Sequence, residues 1–257
     1  MNARPAVLVT GANSGIGKEI ARRLARAGYD VAINYKVDAP AAASLAGSLA
    51  ELGGRAIAVH ADVANRQETE EMFRFVLGEF GKLDALVNNA AVQVWKPLLE
   101  VQEAEWDRVI STNLRGCFLC TQRAAQHMKE RRSGAIVNIG SGCNKVPFPN
   151  LSSYTASKGG IEMFTKSAAL ELGPFGIRVN CVAPGAIDTE RTRAELPDFA
   201  GSWARLTPLR RIGTPEDVAD AVEFLLGDRA SFVSGQTLGV DGGLFAQPRW
   251  PDSDYSL

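Results

Sequence analysis

Tyr154 and Lys158 stand four residues apart in Ser-Tyr-Thr-Ala-Ser-Lys-Gly-Gly, residues 153–160. On a helix that spacing puts both side chains on one face. An isolated tyrosine phenol has a pKa of about 10 and is a poor base at neutral pH. A cation within a few ångströms stabilises the phenolate and lowers that pKa. A phenol so tuned can exchange a proton with a substrate oxygen. An ordinary amphipathic pair has the same spacing, so the reading turns on what the fold brings near it.

Two more polar residues are candidates. Ser141 follows an apolar run at 135–139, in Ile-Gly-Ser-Gly. Ligands of open α/β sheets sit at the carboxyl ends of strands, and from there a hydroxyl can orient a substrate oxygen toward the phenol. The alternative is a turn serine between glycines. Ser152 and Ser153, closer to Tyr154, suit helix capping. Asn113 lies in a stripe of Trp106, Ile110, Asn113, Cys117, Cys120 and Ala124 at three- and four-residue steps, predicted to face the core. A buried amide without partners costs about 1–3 kcal/mol. It must bond to nearby backbone or serve the chemistry.

A third feature lies near the start. Thr10-Gly11-Ala12-Asn13-Ser14-Gly15-Ile16-Gly17 follows an apolar run and opens a helical pattern from about Gly15. The glycines let backbone approach an anionic ligand, and the helix end offers unpaired N–H groups with positive potential. Gly17 allows close packing of helix on strand. A tight turn with no ligand has the same outline, but its place in a first βα unit favours a dinucleotide phosphate.

The elements that must position these groups alternate. Short β-branched runs fall at 6–10, 31–35, 56–60, 85–88, 135–139, 178–182 and 237–240. Amphipathic patterns lie near 15–28, 40–52, 65–80, 102–130, 154–173 and 215–227. Strands that are continuously apolar are buried on both faces, which implies a parallel sheet covered by helices. The expectation is one doubly wound, Rossmann-type α/β domain over 1–257 with seven parallel strands. Two segments break the rhythm. One is the Arg-, Pro- and Thr-rich stretch 184–214, whose portion 187–214 is expected to form a substrate loop. The other is the polar tail 245–257.

Bulk properties narrow the function. The chain has 257 residues, 46% apolar and 22% charged, with a net charge of -1. Basic residues are scattered, so neither nucleic acid nor an anionic membrane is expected as a partner. Cys117-Phe118-Leu119-Cys120 has redox or half-zinc spacing. No second such pair accompanies it, and the histidines are only His60 and His127. Two buried thiols and no metal site are expected. Sparse cysteine and the lack of a signal-peptide core or membrane-length apolar run imply a cytoplasmic protein.

The loop spacing T-G-x-x-x-G-x-G resembles the short-chain dehydrogenases/reductases, and the resemblance runs from about residue 5 to 244. Asp62-Val63, Asn88-Asn89-Ala90, Asn113, Ser141, Tyr154, Lys158, Pro184-Gly185 and Thr189 follow in the family's order. It implies an NAD(P)-dependent alcohol dehydrogenase or carbonyl reductase. Tyr154 would be the acid/base, and Lys158 would lower its pKa and hold the nicotinamide ribose. Ser141 would orient the substrate. Asn113 would bend its helix and bind a water linking Lys158 to solvent.

For the cofactor, the resemblance implies a phosphate cradle of Gly11, Asn13, Ser14, Gly15, Ile16 and Gly17. Asp62 and Val63 would take the adenine, with Asn89 and Ala90 alongside. Pro184, Gly185, the Ile187 backbone and Thr189 would take the nicotinamide. The second strand ends Asn34-Tyr35-Lys36, with no carboxylate where NAD binders place one. Tyr35 and Lys36 therefore favour NADP(H), with NAD(H) as the alternative. The family's Asn-Asn-Ala-Gly ends here in Ala91, and an ordinary backbone φ is expected there.

Trp95, Cys143 and Phe148, with Ser141 and Tyr154, are expected to touch a small-molecule substrate. Asn144, Lys145, Asn150 and loop arginines are expected beside them. That mixed lining favours a polar carbonyl or polyol over a steroid. Val146-Pro147-Phe148-Pro149 is similar to bacterial glucose 1-dehydrogenases, and the rest equally to 3-oxoacyl-thioester reductases. Such relatives are homotetramers, and the tail with Trp250 and Tyr255 is expected to pack on a neighbouring subunit. A catalytically silent cofactor-binding regulator is the alternative, and an epimerase or dehydratase a third reading. Both are disfavoured because Asn113, Ser141, Tyr154 and Lys158 are all present and the glycine spacing is of the short type.

Overall fold

The computed structural model describes residues 4–195 and 198–246. Seven strands form one parallel sheet in the order β3-β2-β1-β4-β5-β6-β7. They are β1 (Ala6–Val9), β2 (Asp30–Tyr35), β3 (Ala56–His60), β4 (Ala85–Asn88), β5 (Gly134–Ile139), β6 (Ile177–Pro184) and β7 (Thr237–Val240). β1 and β4 are buried along their whole length. The order reverses between β1 and β4, which opens a crevice at the strands' carboxyl ends.

Alternate strand residues feed two cores, as the period of a strand requires. On one face Val7, Val31, Val87 and Val137 pack against α1 (Gly15–Arg26), α2 (Ala39–Ala50) and α9 (Pro215–Leu226). On the other, Leu8, Ala32, Leu86 and Ile136 pack against α3 (Arg66–Phe80) and α5 (Gly116–Arg131), with Ala168 of α6 (Ser152–Leu172) beside them. A polar thread crosses this second layer. Asn138 donates to Thr165 Oγ1 at 2.9 Å and accepts from Asn88 at 2.8 Å, and Asn88 also donates to Thr121 at 2.9 Å. These bonds tie β4 and β5 to α5 and α6.

The pattern at 102–130 resolves into α4 (Glu103–Ile110), a wide π turn at Ser111–Arg115, and α5. A π turn holds more residues than an α turn, so the faces before and after it are rotated. The expected stripe therefore does not run straight. Trp106 is 37% exposed and Val109 takes the buried place, whereas Asn113, Cys117, Cys120 and Ala124 are buried as expected.

The expected capping by Ser152 and Ser153 is not what the structure holds. Leu151 is the N-cap residue of α6 with no side-chain cap bond, and the serines lie in the first turn. Their hydroxyls are buried without a hydrogen-bond partner. A cap needs a non-helical backbone, and only Leu151 supplies it.

The segment 187–214 carries two short helices, α7 (Glu190–Glu195) and α8 (Phe199–Leu206). Its two ends are pinned together: Asp188 N donates to Gly213 O at 2.9 Å and Gly213 N to Ala186 O at 2.8 Å. The expected contact of Trp250 and Tyr255 with a neighbour lies outside the described residues.

Candidate active site

A cleft of about 700 Å³ runs along the carboxyl ends of the strands, from the glycine loop to α8. At one end β1 turns into α1 through Gly11, with φ 58°, and Gly15, with φ 51°. L-side chains rarely adopt that backbone. Gly17 is needed for space. A Cβ there would lie 2.4 Å from both Asn89 Nδ2 and Gly11 O. Asn89 Nδ2 donates to the carbonyls of Thr10 and Gly11, each at 2.9 Å. Asn34 accepts from Gly11 N at 3.1 Å and donates to Ala61 O at 3.0 Å. The loop is thus braced from β2 and β4.

The N-terminus of α1 is left open toward the cleft. Ser14 makes no side-chain cap bond, and the first turn holds no acidic residue. By contrast Asp38, Asn65 and Thr214 cap α2, α3 and α9 through their side chains. Uncapped N–H groups, glycines and no local carboxylate fit a dinucleotide phosphate.

Around the expected ribose position, Lys36 lines the cleft, and its ammonium lies 2.5 Å from the Asp62 carboxylate. Partial burial raises the Asp62 pKa, but the hydrogen bonds from Lys36 and the Ala64 amide outweigh it and hold the carboxyl below its usual range. Tyr35 does not reach the cleft wall. Its ring turns to His60, edge-on at 5.5 Å, and packs on the core. The last β2 side chain points away from the crevice while Lys36 points in, as strand alternation demands. Asp38 accepts from Ala41 N at 3.1 Å and so caps α2. Asn13, Ile16, Val63, Ala90, Pro184, Gly185, Ile187 and Thr189 all line the cleft. Ala91 has a φ outside the left-handed region, as expected.

Ser141, Tyr154 and Lys158 converge at the cleft's centre. Lys158 is 2% exposed, donates to Ile139 O at 2.7 Å, and lies 5.5 Å from the Tyr154 ring centroid. Burial, and more weakly the Arg191 guanidinium, pushes its ammonium down to about 8. It is therefore still protonated at neutral pH. Ser141 Oγ accepts from Cys143 N at 3.2 Å, and the Cys143 thiol is pushed up by burial.

The side chain of Asn113 is fully used. Oδ1 accepts from Val92 N at 2.8 Å, and Nδ2 donates to Val92 O at 2.9 Å and Ser157 Oγ at 3.0 Å. The backbone-bonding alternative therefore describes its amide. A small cavity of about 10 Å³, room for about one water, lies among Thr112, Asn113, Asn88 and Lys158. Asn88 Oδ1 is buried without a hydrogen-bond partner. Gly160 lets the π turn approach α6, since a Cβ there would lie 2.8 Å from Leu114. Gly159 has no such neighbour within 4 Å.

Toward the substrate end, Trp95, Cys143 and Phe148 line the cleft as expected. Asn144 and Lys145 do not. Both bond the Glu162 carboxylate on α6, which turns them away. Asn150 is exposed and its carbonyl accepts from Lys96 N. In their place stand Phe199, Trp203 and Phe245. The expectation that 187–214 forms a substrate loop covers the first two. Phe245, assigned to the tail, had no signal in the sequence. Asn34 was readable as a polar residue in an otherwise apolar buried strand.

The sheet's switch point, the uncapped glycine loop and the tyrosine–lysine pair define a nicotinamide-dependent oxidoreductase. A family model described as enoyl-(acyl carrier protein) reductase matches residues 11–245. The 3-oxoacyl-(acyl-carrier-protein) reductase FabG of Staphylococcus epidermidis is 41% identical over 238 residues, 93% of this chain and 98% of that one. The 3beta-hydroxysteroid dehydrogenase 1 of Eggerthella lenta is 40% identical, covering 94% of each chain. Acetoin dehydrogenase YohF from Salmonella typhimurium superimposes with a TM-score of 0.87 at 34% identity, covering 95% of this chain and 98% of that one. The chain belongs to the short-chain dehydrogenase/reductase family and is an NAD(P)-dependent oxidoreductase acting on alcohol or carbonyl substrates.

Lys158 predicts a pH signature. Its pKa falls from the usual 10.5 to about 8 on folding. Below pH 8 the ammonium is charged in both states, and the burial cost is fully present. Between pH 8 and 10.5 the folded chain loses its proton first. The unfolded state then binds more protons, and stability from this group rises with pH. At about 1.4 kcal/mol per unit this amounts to about 3 kcal/mol. Cys117, pushed up to about 12, and Cys181, up to about 11, act in the opposite sense at high pH. The comparison is therefore made by urea unfolding of wild type and Lys158→Met. Any advantage of the variant at pH 7 should shrink by about 3 kcal/mol by pH 10.5. A pH-independent difference would contradict the buried charge.

Proposed function

We propose that the protein interconverts an alcohol and its carbonyl compound with NADP(H), using Tyr154 as the acid/base. The supporting observation is the convergence of Tyr154, Ser141 and Lys158 in one cleft with the uncapped glycine loop. The cofactor, when bound, supplies or accepts the hydride. Gly11, Asn13, Ser14, Gly15, Ile16 and Gly17 would hold its phosphates, with Asp62, Val63, Asn89 and Ala90 along the adenine side. Pro184, Gly185, Ile187 and Thr189 would border the nicotinamide.

In the reducing direction the Tyr154 hydroxyl gives its proton to the substrate oxygen, and Ser141 donates a hydrogen bond that orients it. The Lys158 cation stabilises the phenolate that remains. Asn113 positions: its amide fixes Val92 and the π turn, so any relay to Lys158 runs through backbone and the small cavity. The presence of all four residues disfavours the silent-regulator reading. Tyr154→Phe should lower kcat at least about a hundredfold, the scale of general acid–base catalysis. Nucleotide binding, followed by fluorescence, should be kept; near-normal turnover of the variant would overturn the mechanism.

The NADP(H) preference rests on Lys36 and on the occupation of Asp38 in capping α2. Lys36→Ala should raise KM for NADPH about tenfold and leave that for NADH within about twofold, since the ammonium, beside Asp62, would meet a 2′-phosphate that NADH lacks. Equal changes for both cofactors would refute this role.

Assembly as a homotetramer is supported by apolar side chains left bare on α5 and α6. These are Phe118, Met163 at 63% exposure and Leu170 at 80%. Phe232 and Leu238 are bare near the β7 edge. Contiguous exposed apolar surface marks an interface. Light scattering at micromolar concentration should give four times the chain mass of 27.5 kDa; a monomer mass would rule this out. Four free buried cysteines support a cytoplasmic location.

A further inference from the structure

The wall beside Ser141 is built of rings. Phe148 stands edge-on to Trp203, centroids 5.5 Å apart, and edge-on to Phe245 at 6.1 Å. Phe199 joins Trp203 at 6.1 Å. Four aromatic rings from three separate segments thus meet at the substrate end of the cleft. Phe245 reaches this place because residue 142, next to Ser141, has no side chain. A Cβ on Gly142 would lie 1.8 Å from Phe245 Cε2 and 2.3 Å from Cζ. The ring fills the volume that any other residue at 142 would claim.

Several polar groups of the flanking loops are committed elsewhere, while Gln93, Glu190, Arg191 and Thr192 line the same cleft. Asn144 and Lys145 bond Glu162. On the segment 187–214, Arg193 pairs with Asp188, Arg205 with Asp198 and Arg211 with Asp217 of α9. A polyol brings several hydroxyls, each of which loses water and needs a partner, and the phenyl rings of Phe148, Phe199 and Phe245 offer none. A flexible acyl chain gains contact only after its rotors are ordered. A rigid ring needs neither, and it matches the offset and edge-on geometry in which aromatic groups attract.

We propose that Phe148, Phe199, Trp203 and Phe245 form a clamp selecting a ring-bearing secondary alcohol or ketone, aromatic or alicyclic. This rests on the hydride-transfer reading above and names its substrate class. The whole cleft of about 700 Å³ must also take a dinucleotide. Gly142 and Phe245 act as a specificity pair, since a side chain at 142 would push the ring from its seat.

The test is binding of unreactive pairs to the full-length protein by calorimetry. 2-Tetralone, acetophenone and S-acetoacetyl-N-acetylcysteamine are titrated in the presence of NADP⁺, and sorbitol in the presence of NADPH. The two ring ketones should bind at least tenfold more tightly than the thioester or the polyol. Phe245→Ala and Gly142→Ala should each weaken the ring ketones at least fivefold without changing NADP⁺ binding. Phe245→Leu keeps bulk without a ring, and should fall between Phe245→Ala and wild type. Thioester or sorbitol binding as tightly as the ring ketones overturns the proposal, as do variants that weaken all probes alike. Because the readout is binding, the outcomes are separable. Ring ketones that bind in the expected order but are never reduced by NADPH would count against hydride transfer and not against the clamp.

Discussion

The site depends on keeping one ammonium out of water. Lys158 lies under the carboxyl end of β5, where a single carbonyl accepts from it. Removing a cation from solvent is costly, and the fold bears that cost because a charge in a low dielectric acts strongly on its neighbours. Tyr154 is one helical turn away, its ring centroid 5.5 Å from the ammonium, and in the proposed mechanism its phenol is the group the charge acts on. The surrounding design keeps the ammonium in place. The Asn88–Asn138–Thr165 thread fixes β4 and β5 to α5 and α6, and Asn113 reaches Ser157, the residue before Lys158. Cys117 and Cys181, whose thiols burial holds protonated, line the same interior as uncharged groups.

The two ends of the cleft are built on different principles. The nucleotide end is made of backbone: glycines, an open helix end, and asparagines that brace the loop. Its geometry follows from β1, β2 and β4, three adjacent interior strands of the sheet. The substrate end is made of side chains: Cys143 and Phe148, Phe199 and Trp203 of α8, and Phe245 after β7. It lies on connections, where a fold can vary without disturbing its core.

This division explains what could be read from the sequence. Strand and helix periods gave the element order, and the strand ends agree to within one residue except that β6 runs two further, to Pro184. The nucleotide end was legible because glycine and asparagine at fixed offsets have few local meanings. Tyr35 misled because one residue's shift at a strand end flips a side chain to the other face. The fates of Asn144 and Lys145 were not legible either. They depend on Glu162, eighteen residues beyond Asn144 and on the next helix. Phe245 and Gly142 meet across a hundred residues, and no local pattern records such a meeting. Trp106 departs from its stripe for a different reason: a constant helical pitch does not carry through the π turn at Ser111–Arg115.

That turn has a wider meaning. Asn113 can clasp both the amide and the carbonyl of Val92 because the π turn carries one residue more than the helical repeat allows. The helix on either side would be regular without it. The surplus residue is a phase slip in an otherwise periodic element, and it links the strand-end loop after β4 to the helix that carries the lysine. What distinguishes this segment from a plain amphipathic helix is therefore its count of residues, a property that composition and apolar content do not register.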